Sequence, residues 1–300
     1  MGLAKDNPLF LNAQGAVTPA RITEVVRAIG VEAGDVVMVH AELLRLGRIP
    51  QDLLAQRQAL FEAVEDALLE AIGPAGTLLM PTFTTGCLAH GPFDQRRTPS
   101  ETGALSEHFR LRAGVQRTPH PTHSMAVLGA QAGRFMRPPA HPFGEGSAFD
   151  VLKQLRGKLL FLGADFHWCT FIHHMETAVG VPYRKPVPVR IKAVLEGPQG
   201  VSEERELPAF RFKRPDRYWP DFERLRLRAV ERGILHETVL GKGYVAAVAA
   251  DALFREGTAL LKEDPHAFVD VQPWSRYLAT KASRILRRVN DRLPPFLRPY

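Results

Sequence analysis

Histidines are the residues of this chain whose number and placement raise a chemical question. Six of the 11 lie between positions 120 and 174: His120, His123, His141, His167, His173 and His174. Imidazole can sit in a structural hydrogen-bond network, ligate a metal, or carry protons near neutral pH. The residue types around these histidines leave all three roles open. His173 and Glu176 stand three apart, so a helix carrying them presents both on one face. In that arrangement the carboxylate orients the ring and stabilises the imidazolium after it takes a proton. The same spacing also describes an ordinary surface ion pair.

His120 and His123 share the spacing, but Pro121 and Thr122 between them read as a loop. A zinc-dependent hydrolase built on His120, His123, His173 and Glu176 is therefore an alternative, although the chain holds no HExxH segment. Ser124 next to His120 and His123 supplies the parts of a Ser–His pair. The nearest thing to a nucleophile elbow, Gly144-Glu145-Gly146-Ser147, has the wrong spacing. Neither a P-loop nor a GxGxxG fingerprint follows a strand, which disfavours kinases and dinucleotide enzymes. The two cysteines, Cys87 and Cys169, form no CxxC pair and no disulfide framework, as expected in a reducing compartment.

Short apolar runs alternating with helical patterns must position these groups. Thr18-Pro19 reads as an N-cap followed by a first-turn proline, opening a helix to about Ile29. Residues 35–40, 77–80, 125–128 and 158–163 read as buried strands. Helices are expected over 51–72, 103–112, 149–155, 170–179, 219–232 and 245–256. Residues 187–195 and 201–207 read as a hairpin around Glu196-Gly197-Pro198-Gln199-Gly200, which would make the sheet mixed. The fold class is therefore α/β: one large domain with a mixed central sheet covered by helices on both faces.

The 300 residues, 45% hydrophobic and 24% charged, can bury a core without staples. A net charge of +7 raises the question of an anionic partner. From Lys281 to Tyr300, however, five arginines and one lysine face a single acid, Asp291, so much of the surplus sits in the tail. No nucleic-acid module is visible, and no nucleic-acid partner is expected. No run of 18 apolar residues and no secretory signal appear, so the expected location is cytoplasmic. The expected organisation is a catalytic domain over 1–265 and a basic helical extension over 266–300, its helix running from Tyr277 to Asn290.

Six segments, taken in order, resemble the aminoglycoside 3-N-acetyltransferase family. The first two are Gly34-Asp35-Val36-Val37-Met38-Val39-His40 with Leu43 and Gly47, and Gly76 through Thr84 with its Met80-Pro81-Thr82-Phe83 core. The third runs from Phe93-Asp94 through Thr98-Pro99-Ser100 and Gly103 to Phe109-Arg110. Then come Arg117-Thr118-Pro119-His120-Pro121-Thr122-His123-Ser124, and Pro142-Phe143-Gly144 with Gly146-Ser147. The last holds Leu162-Gly163, Thr170 to Glu176, and Pro182-Tyr183-Arg184. The likeness spans roughly residues 15–260.

It implies acetyl-CoA as co-substrate, a fold unlike that of the GNAT acetyltransferases, and transfer of acetyl to an amino group of an aminoglycoside or a related amino sugar or small amine. An aminoglycoside acceptor would make the chain an antibiotic-resistance enzyme. It further implies that His173 and Glu176 are catalytic, with His120 and Ser124 close by. The turn from His40 through Ala41 and Glu42 to Gly47 would lie against CoA, with Thr82 and Phe83 on the same surface. A donor to the thioester oxygen is also needed, and Ser124, Thr82 and Thr170 all qualify by type.

Two departures bear on this. Relatives carry a serine where Glu42 stands, and a carboxylate repels phosphate. The alternatives are a shifted CoA, a Glu42 that recognises a cationic acceptor, a Glu42 turned to solvent, or a non-catalytic member that has lost CoA. Cys169 stands where the family often has Asn, as a buried small residue or as a nucleophile. The expected partners are a small amine, CoA and possible further copies of the chain.

Overall fold

The computed structural model describes residues 3–196, 202–213 and 218–271. From the N-terminus, β1 (Phe10–Asn12) and β2 (Gly15–Val17) form a small hairpin, followed by α1 (Pro19–Ala28) and β3 (Val36–Ala41). Next come α2 (Gln51–Leu54), α3 (Arg57–Ile72) and β4 (Thr77–Pro81). Beyond them lie α4 (Cys87–His90), β5 (Phe93–Asp94), α5 (Ala104–Leu111), β6 (Gln116–Arg117) and β7 (Met125–Gly129). Then α6 (Ala148–Gln154), β8 (Lys158–Gly163) and α7 (Ile172–Val179) precede a long hairpin of β9 (Lys185–Glu196) and β10 (Ser202–Lys213). The described chain closes with β11 (Tyr218–Pro220), α8 (Glu223–Glu231), β12 (Leu235–Leu240), β13 (Gly243–Ala249), α9 (Ala250–Glu263) and β14 (Val269–Val271).

Seven strands form the central sheet, in the order β12-β13-β8-β3-β4-β7-β6. Only β8, β3 and β4 run parallel; the flanking strands pair antiparallel. Period-two alternation splits the side chains between two cores. Val37, Val39, Leu78, Met80, Leu160 and Leu162 face α1, α3 and α5, with Ile22, Val26, Val64, Leu68 and Phe109 packed on them. Met38, Leu79, Leu159, Phe161, Ala246 and Val248 face the other way, onto Phe149, Phe171, Met175, Leu253 and Leu260 of the second helical layer. That second layer carries α7. Among the described residues no helix is long and apolar enough to cross a membrane.

The sheet is mixed, but not for the reason expected from sequence. The hairpin of β9 and β10 belongs to a separate three-stranded sheet with β5; β12, β13, β7 and β6 supply the antiparallel pairings. The helix expected over 51–72 is broken at Ala55-Gln56 into α2 and α3. The pattern at 245–256 divides into β13 and α9, because Val245 to Val248 lie buried between two strands, where ladder pairing overrides alanine's helical preference. The helix expected from Trp219 starts only at Glu223. Pro220 keeps the preceding backbone extended in β11, and the Asp221 carboxylate accepts the Glu223 N–H at 3.0 Å. The basic helix expected over 277–290 lies outside the described residues.

One glycine sets the approach of two central strands at their carboxyl ends. Gly163 closes β8 at φ +75°, and a Cβ there would lie 2.4 Å from the Glu42 carbonyl oxygen beyond the end of β3. Replacing Gly163 with Ala is expected to destabilise the protein by about 1–3 kcal/mol through backbone strain, with the Glu42 clash added to it. A thermal melt checks this; an unchanged melting temperature contradicts the close approach.

Candidate active site

The carboxyl ends of β3, β4 and β8 meet at one edge of the sheet, joined there by the start of antiparallel β7. Ligand sites of open α/β sheets gather at such an edge. Every residue expected to do chemistry lies in these strand ends, in the loops leaving them, or in the helix after β8.

That helix, α7, carries the central pair. His173 Nδ1 meets Glu176 Oε2 at 2.8 Å across one turn. The pair is not a surface ion pair, because Glu176 is buried at 2% exposure. Its Oε1 accepts from the Tyr183 hydroxyl at 2.9 Å, and its Oε2 is paired with Arg184 Nε at 2.5 Å. Burial alone would raise the Glu176 carboxyl. The hydrogen bond and charge of His173 and the charge of Arg184 outweigh it and hold the group below the usual carboxylate range. Tyr183 is held protonated, by burial first and then by the neighbouring carboxylate. An ionised Glu176 makes Nδ1 the protonated nitrogen of His173, so Nε2 carries the lone pair. Phe143 packs edge-on against His173, with ring centroids 5.1 Å apart.

Sequence reasoning noted Tyr183 and Arg184 without giving them a role. Gly180, at φ +74° and ψ +51°, ends α7 in the left-handed conformation and turns the chain back so that both side chains reach Glu176. A glycine four residues after the pair, followed closely by Tyr-Arg, was the available signal.

His120 is buried, and its Nδ1 accepts two backbone N–H groups, from Thr122 at 3.2 Å and His123 at 3.0 Å. Its proton must therefore sit on Nε2, which is buried without a partner. His123 packs between Phe83 and Phe143, tilted on the first at 5.0 Å and edge-on to the second at 4.6 Å, and burial holds it well below its ordinary pKa. Among the described residues no group of three or more His, Cys, Asp or Glu could hold a metal ion. The zinc ligand set thus does not assemble.

Ser124 is differently occupied. Its hydroxyl donates to the Thr82 carbonyl at 2.7 Å and accepts from Arg117 Nε at 2.9 Å. Arg117, buried across the Phe93 ring, also donates to the Thr82 carbonyl at 2.8 Å and to the Thr98 carbonyl. Thr82 Oγ1 lies 3.2 Å from Ser124 Oγ, and Phe83 follows, half-buried against His123. The Thr82 and Ser124 hydroxyls thus form a buried bracket between β4 and β7. Thr170 Oγ1, by contrast, is buried without a partner, and other atoms of Thr170 line a cleft of about 250 Å³ with His173. Cys169 lies buried beneath, its thiol pushed up to about 12 by burial, which removes it as a nucleophile at neutral pH.

At the end of β3, His40 stacks on Phe161, 5.4 Å between centroids, and its Nε2 is buried without a partner. Ala41 is exposed at a register irregularity opposite Leu162 and Gly163. Glu42 turns to Arg45, 3.3 Å away. Gly47 stands at φ +151°, and a Cβ there would lie 2.6 Å from the Leu11 carbonyl oxygen. Beyond this turn lies a cleft of about 1120 Å³ whose walls include Gly47, Arg45, Arg48 and Lys242.

A family profile described as aminoglycoside 3-N-acetyltransferase matches residues 38–262. The chain belongs to that family. Aminoglycoside N(3)-acetyltransferase III of Salmonella sp is 32% identical over 188 residues, which are 56% of this chain and 63% of the relative, so the chain matches less than two thirds of that protein's length. Aminoglycoside N(3)-acetyltransferase VIII of Streptomyces fradiae is 28% identical over 233 residues, 68% of this chain and 78% of the relative. Among solved structures, aminoglycoside acetyltransferase AAC(3)-Xa superposes with a TM-score of 0.69 at 26% identity, covering 83% of this chain and 94% of its own. AAC-IIIb in binary complex with CoASH superposes at 0.67 and 24% identity, covering 86% and 99%, which establishes a shared fold. The architecture is thus that of the family, not of GNAT acetyltransferases.

The buried histidines predict a pH dependence of stability. Burial pushes His40 down to about 4 and His120 down to about 3 from an ordinary value of 6.5. Both are neutral in the fold, whereas the unfolded chain takes up their protons below 6.5. Their stabilising contribution is therefore complete above about pH 6.5 and is lost as pH falls toward 4. His40 alone accounts for a loss of about 3 kcal/mol over that window. Melting temperature should fall across it, less steeply in His40→Gln; a flat profile contradicts the assignment.

Proposed function

We propose that this chain is an acetyl-CoA-dependent N-acetyltransferase acting on an amino group of an aminoglycoside, a related amino sugar or a small amine. The observation that carries the proposal is the buried His173–Glu176 pair with its tautomer set by the carboxylate. An ammonium has no lone pair for a thioester carbonyl, so the acceptor reacts as the free amine, having released one proton to solvent, and must lose a second as the new C–N bond forms. His173 Nε2 takes that proton, and the Glu176 carboxylate stabilises the resulting imidazolium. The C–S bond breaks, and the proton on His173 passes to the departing thiolate sulfur. Tyr183 and Arg184 act as positioning residues, since each acts on His173 through the Glu176 carboxylate.

Negative charge on the thioester oxygen calls for a donor not already committed. Of the three hydroxyls expected from sequence, Thr170 meets that condition; those of Thr82 and Ser124 are bound to each other and to their own loop. His120 Nε2–H is a second uncommitted donor at the same sheet edge.

The residues present also suit CoA. The Glu42 carboxylate, which a phosphate would avoid, is balanced by Arg45. Arg45, Arg48 and Lys242 on the wall of the larger cleft, which Gly47 also lines, would hold phosphates; His40, Ala41 and Phe83, at and beyond the ends of β3 and β4, would form the surface along the rest of the donor. This favours a member that retains CoA over one that has lost it.

His173→Ala should lower kcat about 10²–10⁴-fold while leaving acetyl-CoA affinity intact by calorimetry. A kcat within a few-fold of wild type would sink the proposal. Thr170→Val should cost about 10²–10³-fold in kcat with KM for acetyl-CoA little changed. Joint replacement of Arg45 and Lys242 by Ala should raise KM for acetyl-CoA and spare kcat; the reverse pattern contradicts their placement on phosphate.

A further inference from the structure

We propose that Lys153 is a positioning residue for the base, holding the His173 ring in place through His174 and Phe143. This rests on the transferase proposal, in which His173 takes the acceptor's proton. The Glu176 bond fixes one nitrogen of His173 but leaves the ring able to tilt about it. Phe143 meets the ring edge-on at 5.1 Å and stands against that tilt. The set of the base therefore depends on what holds Phe143.

Phe143 lies in the loop between β7 and α6, outside any helix or strand. Its backbone is gripped on both sides. The N–H donates to His141 Nδ1 at 3.0 Å, and the carbonyl accepts from His174 Nδ1 at 2.6 Å. A carbonyl offers no proton, so His174 carries its proton on Nδ1 and its lone pair on Nε2. That lone pair faces the Lys153 ammonium at 3.2 Å. An ammonium is a donor only, so the two neighbours demand the same tautomer from opposite sides of the ring. Burial first, and the Lys153 charge after it, hold His174 below the ordinary imidazole range, as the neutral ring this arrangement requires.

Lys153 is itself held facing inward. A lysine on a helix surface ordinarily extends its ammonium into water and pairs loosely. Here the side chain is only 25% exposed, and the ammonium meets Asp150 Oδ1 at 2.8 Å, one turn back along α6. It also lies 4.3 Å over the Phe254 ring of α9. Three helices, α6, α7 and α9, thus converge on one ammonium. The second oxygen of Asp150 accepts the Gly146 N–H at 3.0 Å, so the carboxylate that anchors Lys153 also anchors the loop carrying Phe143. Without the ammonium, the Asp150 carboxylate, 3.7 Å from His174 Nε2, would draw a proton onto that nitrogen.

The test compares Lys153→Met with Lys153→Arg in the full chain, since arginine is likewise a donor without an acceptor. Lys153→Ala takes the place of Lys153→Met in every arm if the latter does not fold. Nitrogen NMR of labelled histidines in neutral buffer, assigned with His174→Gln, should show wild-type His174 protonated on Nδ1 alone. Lys153→Met should add a proton on Nε2, and Lys153→Arg should match the wild type. With tobramycin, or failing it glucosamine, as acceptor, Lys153→Met should lower kcat about 10–10²-fold with KM for acetyl-CoA little changed. Lys153→Arg should recover most of that loss. In a Phe143→Leu background the same substitution should cost little more, because the ring it acts through is gone. The proposal is overturned if the His174 signals ignore Lys153, if kcat of Lys153→Met matches the wild type, or if the loss is undiminished without the Phe143 ring. Thiol release from acetyl-CoA separates the two levels. A wild type that releases no thiol with any amine overturns the transferase proposal; Lys153-dependent His174 signals, with a Phe143–His173 ring contact that weakens in Lys153→Met, would still uphold the positioning arm.

Discussion

A carboxylate buried beneath a histidine is the constraint on which this site depends. Withdrawing the Glu176 charge from water is costly unless hydrogen bonds and opposite charge replace the lost hydration. Three groups do so: the His173 ring, the Tyr183 hydroxyl and the Arg184 guanidinium. These contacts join Glu176 to its own helix and to the turn that follows it. His173 and Glu176 share α7, whose Met175 and Ile172 lie in the core against α9. Tyr183 stacks toward Tyr218 and His266, reaching the segments that follow the hairpin. The orientation of the His173 ring is therefore set by packing within the second layer.

The same logic organises the opposite wall. Phe143 is wedged between His123 and His173, and its carbonyl is held by His174 Nδ1 at 2.6 Å from the back of α7. Adjacent histidines on one helix thus do different work: His173 faces the cleft, while His174 clamps the ring that packs on it. Arg117, Ser124 and Thr82 lock β4 to β7 at the sheet edge, leaving His40, His120 and Thr170 to present polar atoms with no protein partner. Unpaired buried polar atoms cost about 1–3 kcal/mol each, and their place at this edge supports the proposal that a ligand sits there.

Much of the architecture was legible because its signals are local. Thr18-Pro19 opens α1 with a hydroxyl cap, and continuous apolar runs give β3, β4 and β8. The sequence misled where tertiary pairing outweighs local preference, as in the alanine-rich β13, or where proline interrupts an apparent helix, as at Pro220. The His173–Glu176 spacing was visible but could not by itself distinguish a surface pair from a buried one. The difference is made by Tyr183 and Arg184, brought back by the turn at Gly180. Likewise, nothing in the residue types told that Glu42 faces Arg45, or that the Ser124 hydroxyl is spent on the Thr82 carbonyl while that of Thr170 is not. Those are questions of direction, and a side chain's direction comes from packing.

The central claim is that Glu176 fixes His173 with its proton on Nδ1 and its lone pair on Nε2. NMR of isotope-labelled histidine nitrogens, in mildly alkaline buffer and assigned with His173→Ala, reads this directly and needs no knowledge of the acceptor. The account predicts a protonated Nδ1 and an unprotonated Nε2 for His173, with that tautomer lost in Glu176→Gln. A wild-type His173 carrying its proton on Nε2, or a tautomer indifferent to Glu176, would contradict it.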